Sequence, residues 1–263
     1  MSAIDVHVHA FPDDLGPRAI AKLEAQCPWR SVARGTIGEL IESMDAADID
    51  VSVVCTIATR PDQTKGIFNW CRKIRSDRIE PLPSVHPQTP KASRWIERIA
   101  KAGFAGIKLH PMYQDFAVDD PQMDEIYTAA ADCGLLVTAH CGHDIAFPID
   151  ERAAPQRIRR VIDRFGKLKL ICTHMGGWRH WDAAEKYVIG ADVYLETSFS
   201  MRELGRERTV ELIRRHGADR VMFGTDWPWD SQADEIQRIR SLHLSDTDTR
   251  AILYANAAKL LRY

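Results

Sequence analysis

Short apolar runs rich in β-branched residues recur along the chain, and longer stretches with helical periodicity separate them. Apolar runs of four to eight residues bounded by polar turns are typical of buried strands in parallel sheets. The pattern predicts strands at residues 3–10, 50–57, 79–85, 104–111, 135–140, 168–174, 193–198 and 220–226.

Helical segments follow nearly every one of these strands. The clearest begins after Thr36, because a threonine followed three residues later by Glu39 forms the capping-box pattern. The polar segment 13–35 is expected to be a loop with a short helix. The predicted helices cover residues 37–47, 62–75, 91–102, 121–133, 154–165, 178–188, 207–216, 232–240 and 246–261.

This alternation of strands and helices predicts the fold class. Strand–helix repeats form a parallel sheet with right-handed crossovers. Eight such units in 263 residues favour an α/β fold of the (β/α)₈ TIM-barrel type, in a single domain covering 1–263. No Gly-x-Gly-x-x-Gly motif follows a predicted strand, which disfavours a dinucleotide-binding sheet.

Composition narrows the function classes. Lys and Arg (35) nearly balance Asp and Glu (37), so neither nucleic acid nor an anionic membrane is an expected partner. No apolar run approaches the roughly 20 residues that span a bilayer, and no signal-peptide pattern is visible. The six cysteines lack Cys-x-x-Cys spacing and indicate reduced thiols. We therefore expect a cytoplasmic protein that acts on a small-molecule substrate, as a monomer or as a homo-oligomer.

Histidines collect at the ends of the predicted strands. His7 and His9 share one face of the first strand, because strand side chains alternate between faces. His140, His174 and Asp226 end the fifth, sixth and eighth strands. The carboxyl ends of barrel strands open on one face, so these side chains are expected to converge. Imidazole and carboxylate donors together predict a site for zinc or a similar divalent ion.

The ordered set of motifs resembles the amidohydrolase superfamily, and within it the amidohydrolase-related branch that includes aminocarboxymuconate-semialdehyde decarboxylase. The resemblance extends from residue 3 to the closing segment 256–260. The matching motifs are Asp5-Val6-His7-Val8-His9, Gly106-Ile107-Lys108-Leu109-His110-Pro111, Thr138-Ala139-His140-Cys141-Gly142, Thr173-His174-Met175-Gly176-Gly177 and Phe223-Gly224-Thr225-Asp226-Trp227-Pro228.

The resemblance implies a role for each matching residue. It implies these metal ligands: His7, His9, His140 and Asp226. His174 matches a histidine that is the catalytic base in single-metal members and binds the second ion in two-metal members. Lys108 keeps the two-ion alternative open, because two-metal members use a carboxylated lysine or a glutamate on the fourth strand. We expect one divalent ion, with zinc favoured over manganese or iron.

The chemistry also follows from the resemblance. A bound ion lowers the pKa of its water to about 7. Asp226 and His174 would accept the proton of that water, and the hydroxide would attack a small carbonyl substrate such as an amide, lactone or cyclic ester. We therefore expect a metal-dependent hydrolase. The alternative is a non-oxidative decarboxylase of an aromatic or muconate-type acid, and a barrel with only a binding role or a structural metal is third.

Further residues at strand ends are candidates for contacts with the substrate: Lys108, His110, Trp178 and Trp227. These four residues are candidates because the strand ends and the loops that follow them surround the substrate in a barrel enzyme. Each has a structural alternative. His110 precedes a proline and could stabilise a loop, Lys108 could form a buried ion pair with Glu196 or Asp5, and the indoles could seal the core.

Overall fold

The computed structural model describes residues 2–148 and 150–261. The strands are β1 Ile4–Val8, β2 Val51–Cys55, β3 Ile79–Leu82, β4 Gly106–Leu109, β5 Leu136–Ala139, β6 Lys169–Cys172, β7 Tyr194–Glu196 and β8 Val221–Met222. The helices are α1 Gly16–Glu24, α2 Ile37–Ala47, α3 Gln63–Ile74, α4 Ala92–Lys101, α5 Pro111–Gln114, α6 Asp124–Asp132, α7 Pro155–Arg164, α8 Trp181–Tyr187, α9 Met201–His216, α10 Gln232–Ser241, α11 Asp246–Arg250 and α12 Asn256–Leu261.

The strands form two sheets, one with the order β1-β2-β3 and one with the order β4-β5-β6-β7-β8. The pairs β1–β2, β4–β5, β5–β6 and β6–β7 are parallel. Each predicted strand is therefore present, and helices connect the parallel strands as predicted.

The chain divides into two compact units that are interleaved along the sequence. The unit that we call the terminal unit comprises the residues up to Val54, Ser76–Ile79 and the residues from Glu196 onward. The central unit comprises Cys55–Arg75 and Glu80–Leu195.

In the terminal unit, the first strand and the segment that continues the last strand are hydrogen-bonded neighbours. The Val6 N–H donates to the Phe223 carbonyl (2.9 Å), and the Asp226 N–H donates to the His7 carbonyl (2.8 Å). Every residue of β1 is buried, as is typical of a parallel strand covered on both faces. The polar side chains of β1 must therefore find partners inside the protein.

In the central unit, β4 to β6 pair in register, with Lys108 opposite Thr138 and Ala139 opposite Cys172. The Lys108 N–H also donates to the Pro83 carbonyl (3.1 Å), which joins β4 to the segment after β3. Helices α4 and α6 pack together outside these strands, and Ile96 and Ile126 are fully buried there.

The helix boundaries differ from the prediction where the backbone leaves ideal geometry. The capping box of Thr36 and Glu39 is confirmed. The last predicted helix, 246–261, contains a π-helical turn at Ala251–Ala255. The predicted helix 207–216 is present as the part of α9 that follows Gly205 (φ 72°), and the helical turn that begins at Met201 before this kink is additional to the prediction.

Candidate metal centre

Three side chains converge in the terminal unit where β1 and β8 end. The Nε2 atoms of His7 and His9 lie 3.4 Å and 3.0 Å from Asp226 Oδ1. The two imidazoles meet edge to face, with ring centroids 5.0 Å apart. Asp226 adopts a left-handed backbone conformation (φ 63°), which is costly for a residue with a side chain and is common at functional sites. One ligand atom from each residue lies within 4.8 Å of the others, as a shared cation requires.

Glu196, at the end of β7, lies behind His7. Its Oε1 is 3.1 Å from His7 Nδ1, and the Ser198 hydroxyl donates to the same oxygen (2.8 Å). The Ser198 N–H donates to Oε2 (2.7 Å), so both carboxylate oxygens accept hydrogen bonds in a fully buried environment. From the sequence, Glu196 is expected only as an ion-pair partner of Lys108. Its place at the carboxyl end of a predicted strand is the signal that could have identified it.

Asp5 connects the backbones that carry His7 and Asp226. It accepts hydrogen bonds from the His7 N–H (3.1 Å), the Thr225 N–H (3.1 Å), the Thr225 hydroxyl (2.6 Å) and the Gln232 amide (2.8 Å). Burial raises the pKa of Asp5 to about 7, although the hydrogen bonds from Thr225, Gln232 and His7 lower it. The position of both candidate ligands therefore depends on one buried carboxyl group.

In the central unit, the structure brings His140 and His174 together. His140 Nε2 lies 3.1 Å from the His143 carbonyl oxygen, and His140 Nδ1 lies 3.1 Å from His174 Nε2. A carbonyl can only accept, so His140 Nε2 carries the proton and Nδ1 carries the lone pair. Burial, together with the neighbouring His110 and His174, holds the pKa of His140 well below its ordinary value. His140 is therefore neutral, which is the form that binds metal ions.

The backbone at His174 is also strained. His174 (φ 56°) and Met175 (φ 53°) are consecutive residues in the left-handed region. The Trp181 indole N–H donates to the His174 carbonyl (3.2 Å) and holds this turn in place. Consecutive non-glycine residues in this conformation are costly, so the turn is a further sign of a functional site.

His110 packs against the ring of His140. The two rings are stacked, with centroids 4.2 Å apart and an interplanar angle of 18°. His110 Nε2 is also 3.1 Å from Asp144 Oδ2. Nitrogen lone pairs lie in the plane of an imidazole, so stacked rings cannot direct them at one ion. His110 and His140 therefore do not fit a common metal, and the substrate contact of His110 stays a prediction.

The remaining predicted residues have these surroundings. Lys108 is fully buried in β4. The Trp178 ring stacks on His143 (5.7 Å between centroids), and the Arg179 guanidinium lies over it (4.3 Å). Trp227 is buried and forms a β-bridge with Val8, which supports the alternative that its indole seals the core.

The donor set of the terminal unit fits a divalent cation. Two imidazoles and a carboxylate are ligands that zinc, manganese and iron accept. The Glu196 carboxylate behind His7 is the type of partner that orients metal-binding histidines in proteins.

Comparison with known proteins identifies the class. The family model described as Amidohydrolase (Amidohydro_2) matches residues 4–263. The chain therefore belongs to the amidohydrolase family and is an enzyme of that superfamily, as the sequence motifs predicted.

One curated relative is gamma-resorcylate decarboxylase from Polaromonas sp. strain JS666. It is 29% identical over 119 residues, which are 39% of this chain and 36% of the relative. The match thus spans only about a third of that protein.

Solved structures share the fold over the full chain. A TIM-barrel protein from Bordetella bronchiseptica has a TM-score of 0.79 at 19% identity and covers 100% of this chain and 99% of its own. 5-Carboxyvanillate decarboxylase from Sphingomonas paucimobilis has a TM-score of 0.75 at 18% identity, with 99% of both chains covered. A dihydroxybenzoic acid decarboxylase from Polaromonas sp. JS666 with bound manganese has a TM-score of 0.74 at 17% identity, with 99% of this chain and 97% of that chain covered. The predicted (β/α)₈ barrel is confirmed.

Within residues 2–148 and 150–261, no helix combines the length and the apolar character needed to cross a bilayer.

Proposed function

We propose that this chain is a metal-dependent decarboxylase that removes the carboxylate of an aromatic acid without an oxidant. The observation that carries the proposal is the group formed by His7, His9 and Asp226, in a chain of the amidohydrolase family. The partial similarity to gamma-resorcylate decarboxylase supports decarboxylation over the hydrolysis that we expected first from the sequence.

His7, His9 and Asp226 would hold one divalent ion, and the family resemblance adds His140 as a further ligand. When bound, the ion would act as a Lewis acid that orients and polarises the oxygen atoms of the substrate. Zinc and manganese both suit these donors. Because a dihydroxybenzoic acid decarboxylase of the same fold holds manganese, both ions belong in the first assay.

His174 would move the proton that the reaction needs. In decarboxylation the bond between the ring carbon and the carboxylate breaks, carbon dioxide leaves, and the ring carbon gains a proton. The lone pair of His140 Nδ1 faces His174 Nε2, so this nitrogen of His174 carries a proton. We propose His174 as the donor of that proton, with Asp226 as the second group able to transfer it.

The test is turnover of a panel of hydroxybenzoates in D₂O by protein loaded with Zn²⁺ or Mn²⁺. The expected result is release of carbon dioxide and a product with one deuterium at the carbon that lost its carboxylate. Simple amides and lactones are the comparison substrates. If the loaded protein hydrolyses these amides or lactones and releases no carbon dioxide from any hydroxybenzoate, the decarboxylase proposal is overturned in favour of the hydrolase.

The other expectations from the sequence also stand as proposals. We propose a single domain that acts on a small-molecule substrate in the cytoplasm, without nucleic acid or membrane as a partner. A homo-oligomer is a further proposal. Light scattering of the purified protein tests the oligomeric state directly.

A further inference from the structure

We propose that Glu196 is a positioning residue for His7. By holding the His7 proton on Nδ1, it keeps Nε2, the nitrogen that faces Asp226, available for a metal ion and thereby sets the metal affinity of the terminal unit. This inference rests on the proposed metal site but is independent of the reaction that the site performs.

The hydrogen bonds around Glu196 determine the protonation of His7. The Ser198 N–H donates to Oε2 and the Ser198 hydroxyl donates to Oε1, so the hydroxyl proton is directed at the carboxylate. His7 Nδ1 is 3.1 Å from Oε1 and 3.2 Å from the Ser198 oxygen. Both neighbours are therefore acceptors for His7, and its Nδ1 must be the protonated nitrogen.

In the neutral form of His7, which is the form that binds metal ions, the other nitrogen keeps its lone pair. That nitrogen, Nε2, is 3.4 Å from Asp226 Oδ1. A lone pair and a carboxylate oxygen repel each other at this distance, unless a cation is shared between them. Glu196 therefore presents His7 to Asp226 in the form that binds a metal ion.

Gly224 shows independently that the backbone is shaped around this carboxylate. A Cβ atom at position 224 would lie 2.3 Å from Glu196 Oε2 and 3.2 Å from His7 Cβ. The Gly224 N–H donates to the Thr197 hydroxyl (3.2 Å), which keeps the segment after β8 close to the end of β7. Only glycine leaves room for Glu196 in its observed place.

An amide at position 196 cannot replace the carboxylate. Three donor groups from His7 and Ser198 face the two oxygens, whereas a glutamine offers one acceptor and one NH₂ group. If the amide oxygen faces the Ser198 N–H, the NH₂ group faces His7 Nδ1 and drives the proton to Nε2. If the amide oxygen faces His7, the NH₂ group faces the Ser198 N–H, so that two donors oppose each other. Either arrangement weakens metal binding.

The experiment measures affinity of the chelator-stripped protein for Zn²⁺ and Mn²⁺, by competition with a chromophoric chelator. We expect Glu196→Gln to bind about 10- to 100-fold more weakly than the unaltered protein. Glu80→Gln is the matched control, because Glu80 is a buried carboxylate that pairs with Arg75 (3.0 Å) in the central unit. It should change the affinity by less than about threefold. The absorption spectrum of bound Co²⁺ should change only with Glu196→Gln.

The outcomes separate the two proposals. Absence of binding by the unaltered protein would refute the metal site itself. Unaltered affinity of a folded Glu196→Gln protein, or an equal loss in Glu80→Gln, would overturn the role of Glu196. If Glu196→Gln does not fold, Ser198→Ala tests the same contact, because it removes one hydroxyl donor and should weaken binding by a smaller factor. Unchanged affinity of that variant would equally contradict the inference.

Discussion

His140 Nδ1 lies 3.1 Å from His174 Nε2, and the two imidazoles meet edge to face with centroids 4.8 Å apart. The contact is directional, because the His143 carbonyl holds the proton of His140 on its other nitrogen. His174 therefore donates toward His140. The contact supports proton transfer by His174, whereas the expectation that His140 is a metal ligand rests on the family resemblance and requires Nδ1 to exchange the His174 proton for the ion.

Substitution of His174 should separate metal binding from turnover. We expect His174→Asn to retain the ion and to lower kcat by about 10²- to 10⁴-fold, the usual contribution of a general acid or base. His140→Asn should instead lower the metal content. The measurements are metal analysis and steady-state kinetics on both variants. Loss of an ion with His174→Asn would identify His174 as a ligand and contradict its proposed role.

Gly142 should be intolerant of a side chain. It adopts φ +91°, and a Cβ atom there would lie 2.2 Å from the Trp178 backbone nitrogen. That nitrogen donates to the Cys141 carbonyl (3.0 Å), so Gly142→Ala should disrupt the bridge that places the His143 carbonyl beside His140. We expect a loss of about 3 kcal/mol or more in the free energy of unfolding, as for severe backbone strain.

The matched control for Gly142→Ala is Gly134→Ala. Gly134 also has a positive φ (67°), but nothing lies within 4 Å of its added Cβ atom. Its substitution should cost only about 1–2 kcal/mol, from the left-handed backbone alone. Urea denaturation of both variants measures the difference. Equal losses would show that the close approach to Trp178 is unimportant.

The pairing of Asp5 with Gln232 can be tested by exchanging donor and acceptor. Asp5→Asn places an NH₂ group against the Gln232 amide that now donates to Asp5. We expect a loss of about 1–3 kcal/mol for the resulting unsatisfied buried group, measured by urea denaturation. Adding Gln232→Glu restores a donor–acceptor pair and should recover part of that loss. Additive effects of the two substitutions would argue against their coupling.

Stability should depend on pH through Glu235. Burial and the neighbouring Asp230 carboxylate raise the pKa of Glu235 from 4.5 to about 8. The folded protein therefore keeps a proton that the unfolded chain releases above about pH 4.5, so this group destabilises the fold as pH rises from 4.5 to 8. Glu235→Gln should gain stability relative to the unaltered protein by up to about 1.4 kcal/mol per pH unit in this window.

The measurement for Glu235 is urea denaturation at several pH values between 5 and about 8. The difference between the two proteins should be small near pH 5 and largest near pH 8. The exposed Glu211→Gln substitution serves as the control. A pH-independent difference for Glu235→Gln would refute the raised pKa.

The fold was largely predictable because buried parallel strands leave a clear signal. Every residue of β2 is buried, and its sequence is a continuous run of small and β-branched residues. The extension of α9 before Gly205 was not predictable, because Gly205 breaks the apolar periodicity that marks the rest of the helix. The short helix α5 was not predictable either, since a single helical turn is too short to show a repeat of apolar positions.

The candidate site was predictable only in part. The alternation of side chains in a strand placed His7 and His9 on one face, and the structure brings both to Asp226. The contact between Glu196 and His7 was not predictable from the sequence, because it joins residues 189 positions apart. Which nitrogen of a histidine carries the proton depends on such distant contacts, and no local sequence pattern encodes it.

The metal content per chain, from elemental analysis of protein purified without chelators, tests the proposed metal site most directly. We expect one equivalent of zinc, manganese or iron in the unaltered protein and none in His7→Ala. Two equivalents would contradict the single-ion site and favour a role for Lys108 in binding a second ion. A protein that holds no ion, even after addition of zinc or manganese, would refute the metal site at His7, His9 and Asp226.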